Sequence, residues 1–225
     1  MSAPQARDDM RVRPVGDAAI LVEYPTSDPS EAWLRVRALD RALAAVDLVV
    51  ESCPALVNLL VRFDPRVTDH DAVADAVAGA RPGELDTALA IEHTIEIRYD
   101  RSPDGDLAAV AAAVELSVDE VSERHLAASY EVRMYGFAPG YAYLGGVPES
   151  IRRPRKPTPV RDVPAGSVLI ANDQCLITTV TMPTGWWVIG SSPTPILDPD
   201  AARPAPFDVG DRVRFVSADH PIADR

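Results

Sequence analysis

Three groups of residues in the second half of the chain have the chemistry of a binding or proton-transferring site. His125 lies on the apolar face of a short predicted helix. The stretch from Tyr135 to Gly146 reads YGFAPGYAYLGG and combines four glycines with four aromatic residues. The segment RRPRKPTPVRDVP, residues 152–164, is basic and rich in proline, so we expect an extended, stiff loop. Together these groups predict a pocket.

In such a pocket the side chains of Tyr141 and Tyr143 would form the walls. Glycines such as Gly140 would let backbone N–H groups approach a ligand. Arg155 or Lys156 would meet an anionic group. Each feature also has a structural interpretation. A histidine on an apolar face is commonly a core residue, a glycine–aromatic loop is commonly a tight barrel corner, and basic loop residues are commonly solvated.

Length, composition and charge limit the classes of protein to which this chain can belong. At 225 residues, with 47% hydrophobic and 25% charged residues, the chain suits a globular protein of two domains. A formal net charge of -12 argues against nucleic acid as a partner, because that binding depends on Lys and Arg. The sequence has neither an apolar signal peptide nor a run of about 20 apolar residues, so we predict a cytoplasmic protein with no membrane partner.

Familiar self-contained catalytic motifs are missing from the sequence. There is no Gly-Lys pair for a P-loop, and neither GxSxG nor HExxH occurs. The four histidines have no metal-ligand spacing, and Cys53 and Cys175 are isolated. We therefore predict no metal site and two reduced thiols.

The hydrophobic pattern predicts an α+β domain at residues 1–90 and an all-β barrel at residues 91–225. In the first, strand patterns flank an amphipathic helix in DPSEAWLRVRALDRALAAV, which Asp28 or Ser30 can cap. The alternating run HTIEIRY, residues 93–99, would complete the order strand, helix, strand, strand, helix, strand of a ferredoxin-like sheet.

The barrel domain begins with a short helical segment, in which Ser117 and Glu120 have the spacing of a capping box. This register places Val121 and His125 on one face of the helix. From residue 130 onward, short β-rich runs alternate with Pro and Gly turns, which is typical of a barrel. The clearest runs are SVLIA, CLITTVTM, WWVIG and DRVRFV.

The stretches HLAASYEVRMYGFAPGYAYLGGVP, PRKPTPVRDVPAGSVLIA and PTGWWVIGSSP together resemble one family. That family includes the B subunit of the prokaryotic ATP-dependent 5-oxoprolinase, allophanate hydrolase subunit 1 and a sporulation histidine-kinase inhibitor. RPVGDAAILVEY, NLLVRFDP and VGDRVRF extend the resemblance along most of the chain. Gln174 is retained within IANDQCLITT, a segment that otherwise departs from the family's usual text. The resemblance implies a ferredoxin-like N-terminal domain and a cyclophilin-like β-barrel C-terminal domain.

The resemblance also implies an activity, a cofactor and partners. The reaction is the ATP-driven opening of the 5-oxoproline lactam to glutamate, with ATP and Mg²⁺ required. The first partner is a companion of homologous fold, either the C subunit of the oxoprolinase or allophanate hydrolase subunit 2. For the oxoprolinase, an A subunit is a further partner. Three alternatives stay open: an allophanate hydrolase component, a regulatory module that inhibits a histidine kinase, and a structural protein with a vestigial pocket.

The implied site combines catalytic with substrate-binding residues. His125 is the candidate proton donor or acceptor, and Arg155 is the candidate cation for developing negative charge. The candidate substrate-binding residues are Phe137, Gly140, Tyr141, Tyr143 and Gln174.

Overall fold

A computed structural model describes residues 10–83 and 90–218. The chain divides into two compact units, Met1–Ala88 and Leu89–Arg225. The first unit contains β1 (Arg11–Val15), β2 (Ala19–Glu23), α1 (Pro29–Leu43), β3 (Glu51–Pro54), β4 (Asn58–Arg62) and α2 (His70–Gly79). The second contains β5 (Glu92–Tyr99), α3 (Asp106–Ala113), α4 (Val118–Ala127), β6 (Tyr130–Tyr135), β7 (Ala142–Gly145), a 3₁₀ helix (Glu149–Ile151), β8 (Val160–Val163), β9 (Ser167–Ala171), β10 (Gln174–Ile177), β11 (Met182–Thr184), β12 (Trp187–Ser191) and β13 (Arg212–Ser217).

The first unit is an antiparallel sheet in the order β1, β2, β4, β3, with both helices packed on it. The helix α1 begins where the sequence predicts it, because the Asp28 side chain accepts hydrogen bonds from the backbone N–H groups of Ser30 and Glu31. Val36 and Leu39 recur at helical spacing on its buried face and join the core with residues of β2 and β4.

The strand β5 lies in the second unit, so the prediction that residues 93–99 complete the first sheet is wrong. It pairs antiparallel with β12 and parallel with β13, and it buries Ile95, Ile97 and Tyr99 in the barrel core. In the first unit the place beside β2 is taken by β1, its hairpin partner across the turn at Gly16. Alternation along a strand identifies its buried face but not the sheet that it joins. The names ferredoxin-like and cyclophilin-like stay predictions.

The second unit is a closed barrel of seven strands, in the order β10, β7, β6, β13, β5, β12, β9. The predicted barrel architecture is therefore confirmed. Successive side chains of a strand point to opposite faces, so each strand contributes to two layers. Ile170 and Cys175 face each other inside the barrel, whereas their neighbours Leu169 and Leu176 face each other on its outer wall.

The helices α3 and α4 pack against the interior of the barrel. The predicted capping box starts α4: the Ser117 side chain accepts from the Glu120 backbone N–H, and the Glu120 carboxylate accepts from the Ser117 backbone N–H. Val121 and His125 are buried on the inner face of this helix, as its register predicts. Across the described ranges, none of the helices combines the length and the apolar character needed to cross a bilayer.

A second, smaller apolar cluster covers part of the outer wall of the barrel. Val163 of β8 and Met182 of β11 pair across a two-stranded ribbon and pack onto this cluster. Its buried members are Tyr141, Val163, Leu169, Ala171, Leu176 and Trp186. This layer, rather than the barrel interior, positions the candidate site.

Candidate functional site

A cavity of about 110 Å³ opens beside the second apolar cluster, and we call it the outer-wall cavity. Its lining comes from segments that are far apart in the sequence: the glycine–aromatic loop, β7, β10, β11 with the turn after it, and the basic loop. The lining residues are Phe137, Tyr141, Tyr143, Arg155, Leu176, Pro183, Thr184, Gly185 and Trp186. The structure thus brings together Phe137, Tyr141, Tyr143 and Arg155 of the predicted site.

Arg155 reaches the outer-wall cavity because the backbone on both sides of it is held. The Trp187 Nε1–H donates to the Pro154 carbonyl at 2.7 Å, and the N–H that follows Arg155 donates to the Gly185 carbonyl at 2.7 Å. The guanidinium carbon lies 5.5 Å from the centre of the Trp186 ring, as in a cation–π contact. Arg155 is exposed and forms no hydrogen bond or ion pair within residues 10–83 and 90–218. Its N–H donors are therefore available to a ligand.

Lys156, the other cation that the sequence offers for an anion, contacts protein groups instead. Its ammonium forms an ion pair with the Asp106 carboxylate and lies 5.3 Å from the centre of the Trp187 ring. The same carboxylate oxygen accepts the Val188 backbone N–H at 2.8 Å. This link ties the basic loop to α3 and β12, so Arg155 is the cation of this pair that faces the cavity.

Phe137 projects from a strained turn at the rim of the outer-wall cavity. The Ala138 N–H donates to the Gly136 carbonyl at 2.9 Å, which closes a γ-turn, and Phe137 at its centre has a φ of 72°. A bulky residue in this left-handed region costs on the order of 1–3 kcal/mol. The residue is 77% exposed, and the centre of its ring lies 5.6 Å from that of the Tyr141 ring. The turn therefore holds an aromatic ring out at the mouth of the cavity.

Gly140 shapes the same loop without lining the outer-wall cavity. Its φ is 71°, and a Cβ at this position would lie 3.1 Å from the Thr179 methyl group and 3.2 Å from a methyl of Leu197. The Thr179 hydroxyl donates to the Pro139 carbonyl at 2.7 Å, which fixes this approach. Both the backbone angle and the space therefore require glycine. Gln174, half-buried at the start of β10, does not line the cavity either.

The two tyrosines of the outer-wall cavity use their hydroxyls differently. The Tyr141 hydroxyl donates to the Met182 sulfur at 2.7 Å, and burial, reinforced by Tyr143, raises the pKa of Tyr141 to about 12. The Tyr143 hydroxyl has no hydrogen-bond partner in the described part of the chain. Burial raises the pKa of Tyr143, and the nearby Arg155 acts in the opposite direction. Both phenols are therefore protonated donors at neutral pH.

The size and lining of the outer-wall cavity limit its ligand. Pockets for drug-sized ligands measure about 300–1,000 Å³, so a cavity of about 110 Å³ suits a compound with few non-hydrogen atoms. Aromatic walls with one guanidinium match a small flat compound that carries an anionic group. Across the described ranges, no group of three or more His, Cys, Asp or Glu side chains could hold a metal ion.

His125 lies in the barrel interior and not at the outer-wall cavity. Its side chain is fully buried between the rings of Tyr130 and Phe215, whose centres lie 5.1 and 4.7 Å away. Its Nδ1 shares a hydrogen bond of 2.8 Å with the Tyr99 hydroxyl, and its Nε2 lies 3.7 Å from the Cys175 Sγ. Burial lowers the pKa of His125 to about 3, so the imidazole is neutral. This geometry matches the core interpretation of a histidine on an apolar helix face.

Trp186 and Leu176 line the outer-wall cavity, although sequence reasoning did not single them out. A signal for Trp186 exists in the doublet WW, because adjacent residues near a strand point to opposite faces. Trp187 packs against the interior cluster, and Trp186 joins the outer one. Leu176 carries no such signal, since the run CLIT is apolar on both faces.

The fold and the cavity together define a class of protein: a chain of two units whose closed barrel carries an aromatic, arginine-bearing cavity on its outer wall. The chain belongs to the family described as carboxyltransferase domain, subdomain C and D, which matches residues 10–207. The resemblance drawn from the sequence motifs is thereby confirmed.

Its relatives include the 5-oxoprolinase B subunit of Escherichia coli O157:H7, which is 34% identical over 206 residues, 90% of this chain and 93% of the relative. The solved structure of TTHA0988 is 30% identical with a TM-score of 0.78, over 95% of this chain. This chain spans only 41% of that one. The structure of the K. lactis urea amidolyase, at 16% identity and a TM-score of 0.73, shares the fold over 92% of this chain and 15% of its own.

Proposed function

We propose that this chain belongs to an ATP-dependent amide-hydrolysing complex and opens 5-oxoproline to glutamate together with a companion of homologous fold. The full-length relatives named as the B subunit of 5-oxoprolinase support the class of complex, since a B subunit implies further subunits. The outer-wall cavity is the observation that supports 5-oxoproline as the substrate. It has the size for a five-membered lactam, flat aromatic walls and one guanidinium for a carboxylate.

A five-membered lactam is an unreactive amide, so its opening needs activation of the carbonyl oxygen and stabilisation of negative charge. The outer-wall cavity, at about 110 Å³, is too small to enclose a whole nucleotide. We place ATP and Mg²⁺ on the other subunits. Phe137, Tyr141 and Trp186 would hold the ring, and Arg155 would bind its anionic group.

The test is co-expression of this chain with its A and C companions, followed by measurement of ATP-dependent glutamate release from 5-oxoproline. We expect release only when all three proteins and ATP are present, and a preparation without this chain is the control. Allophanate is assayed in parallel. Ammonia release from allophanate with no glutamate from 5-oxoproline would reassign the substrate and refute the proposal.

A further inference from the structure

We infer that this chain supplies the carboxylate-recognition part of the substrate site, through Arg155 and the Tyr143 hydroxyl, and that the groups that transfer protons belong to the companion protein. The inference rests on the proposed function and names the role of this chain within it. It separates binding from chemistry, so each can be tested without the other.

Arg155 has the properties of a carboxylate-binding residue. Hydrogen bonds hold its backbone on both sides, and its guanidinium carbon lies 5.5 Å from the centre of the Trp186 ring. Binding a ligand therefore costs Arg155 little conformational entropy. The planar guanidinium can donate two parallel hydrogen bonds to a carboxylate. No acidic side chain pairs with it in the described part of the chain. The cavity therefore presents an uncompensated positive charge.

Tyr143 supplies a second donor to the same anion. Its hydroxyl is protonated, has no hydrogen-bond partner among the described residues, and lies close enough to Arg155 for the two to interact electrostatically. Tyr141 cannot take this role, because its hydroxyl already donates to Met182. The recognition element is thus one guanidinium and one phenol, in a cavity that Leu176 also lines.

Proton transfer needs a group that exchanges a proton near neutral pH, typically His, Asp, Glu, Lys or Cys and in some enzymes Tyr. Tyr141 and Tyr143 line the outer-wall cavity, but burial raises the pKa of both phenols, so they keep their protons at neutral pH. None of the other residue types lines the cavity in the ranges that the structure describes. His125, the candidate from the sequence, is sealed in the barrel interior among Tyr99, Tyr130 and Phe215. The cavity can therefore hold and orient a substrate, but a general acid or base has to come from outside it.

A matched pair of ligands tests the recognition step on the isolated chain. 5-Oxoproline and 2-pyrrolidone share the same lactam ring, but only the former has a carboxylate. We expect 5-oxoproline to change the tryptophan fluorescence of the Trp33→Phe chain on titration, through Trp186 in the cavity lining. We expect 2-pyrrolidone to bind at least about tenfold more weakly, as for one lost charge-assisted contact. Equal binding of both compounds, or binding of neither, overturns the inference.

Substitutions at Arg155 and Tyr143 test whether these residues are responsible for 5-oxoproline binding. Arg155→Gln should weaken 5-oxoproline binding about 10- to 100-fold, Arg155→Lys should restore part of it, and Tyr143→Phe should weaken it about 3- to 10-fold. Arg161→Gln is the matched control, because it removes an exposed cation from β8 that does not line the cavity. The same loss in Arg161→Gln would show a general charge effect and overturn the inference.

The assembled complex separates recognition from chemistry. Arg155→Gln should raise the KM for 5-oxoproline about 10- to 100-fold and leave kcat within about threefold. A lowered kcat at unchanged KM overturns the inference. Loss of companion binding while 5-oxoproline binding stays intact also overturns it, because Arg155 would then bind the companion and not the substrate. A complex that lacks 5-oxoprolinase activity refutes the proposed function only, because binding by the isolated chain is measured independently.

Discussion

The neutral imidazole of His125 couples the stability of the barrel to pH. The unfolded chain binds a proton at this imidazole below its ordinary pKa of 6.5, whereas in the folded barrel burial lowers the pKa to about 3. Between these values the unfolded state binds more protons, so the free energy of unfolding falls as the pH falls. This stabilisation is fully present above about pH 6.5 and is lost progressively as the pH drops towards 3.

The size of the effect follows from the linkage of one proton. Each pH unit below the unfolded pKa costs about 1.4 kcal/mol as long as the folded imidazole stays neutral. Between about pH 7.5 and about pH 5 the loss is therefore about 2 kcal/mol. That is a large fraction of the stability of an ordinary domain, which is about 5–15 kcal/mol.

Urea unfolding at these two pH values measures the effect, followed by the emission of Trp186 and Trp187. Every protein carries Trp33→Phe, so the signal reports the second unit alone. We expect His125→Gln to be less stable at both pH values, because it loses packing against Tyr130 and Phe215, but to show a pH difference smaller by about 2 kcal/mol. His70→Gln is the control, since it removes a half-buried imidazole from the first unit, where the emission of Trp186 and Trp187 does not report.

Two results would refute this reasoning. One is an unchanged pH difference in His125→Gln, and the other is a ring proton signal of His125 that titrates between about pH 5 and about pH 8 in the folded protein, where a free imidazole titrates. In the complex, His125→Gln should keep kcat within about threefold when folded. A hundredfold lower kcat would indicate that His125 does take part in proton transfer.

Three further predictions concern other contacts, and each is tested by chemical denaturation. Gly140→Ala should destabilise the barrel by about 1–3 kcal/mol because of its positive φ and the close Thr179 methyl. Gly136 has no positive φ, and a Cβ there would meet the Tyr143 ring at an ordinary contact distance of 3.8 Å, so Gly136→Ala should change stability by less than about 1 kcal/mol. Equal effects of the two substitutions would contradict this explanation. Ser117→Ala should cost about 1 kcal/mol by removing the capping box, and a neutral result would show that α4 does not need it. Burial acts to raise the pKa of Asp211, but hydrogen bonds from backbone N–H groups and from His93 outweigh burial, so the pKa is lowered. The Asp211 carboxylate therefore stabilises the fold above its unfolded pKa, and this stabilisation is lost as the pH falls below that value. Asp211→Asn should lower the free energy of unfolding by about 1–3 kcal/mol at neutral pH, and the variant should lose less stability than the parent protein as the pH falls. An unchanged dependence of stability on acid pH would contradict this explanation.

Local features of this chain were predictable because they depend on neighbours within a few residues. Asp28 caps α1 and Ser117 with Glu120 caps α4 in the expected way, since a capping side chain reaches only the next two or three N–H groups. The γ-turn at Phe137 and the left-handed Gly140 lie in the stretch whose composition marked it as irregular. The family, too, was readable from contiguous motifs.

Sheet membership was not predictable in the same way. The run 93–99 has the alternation of any strand with one buried face, and nothing within it distinguishes the first sheet from the barrel. Its place is set by pairing with β12 and β13, which begin at residues 187 and 212. These partners are far away in sequence, and local periodicity carries no information about them.

The sequence by itself determined the starts of α1 and α4, the strand-forming runs, the aromatic loop, the basic loop and the family, because each is written in contiguous residues. Only the tertiary structure decided which of these residues share a site. Closure of the barrel seals His125 inside and leaves Trp186 and Leu176 outside, and pairing of Lys156 with Asp106 leaves Arg155 to face the cavity. The physical reason is that burial and ion pairing depend on contacts across the barrel, between segments whose separation in the chain the local pattern does not record.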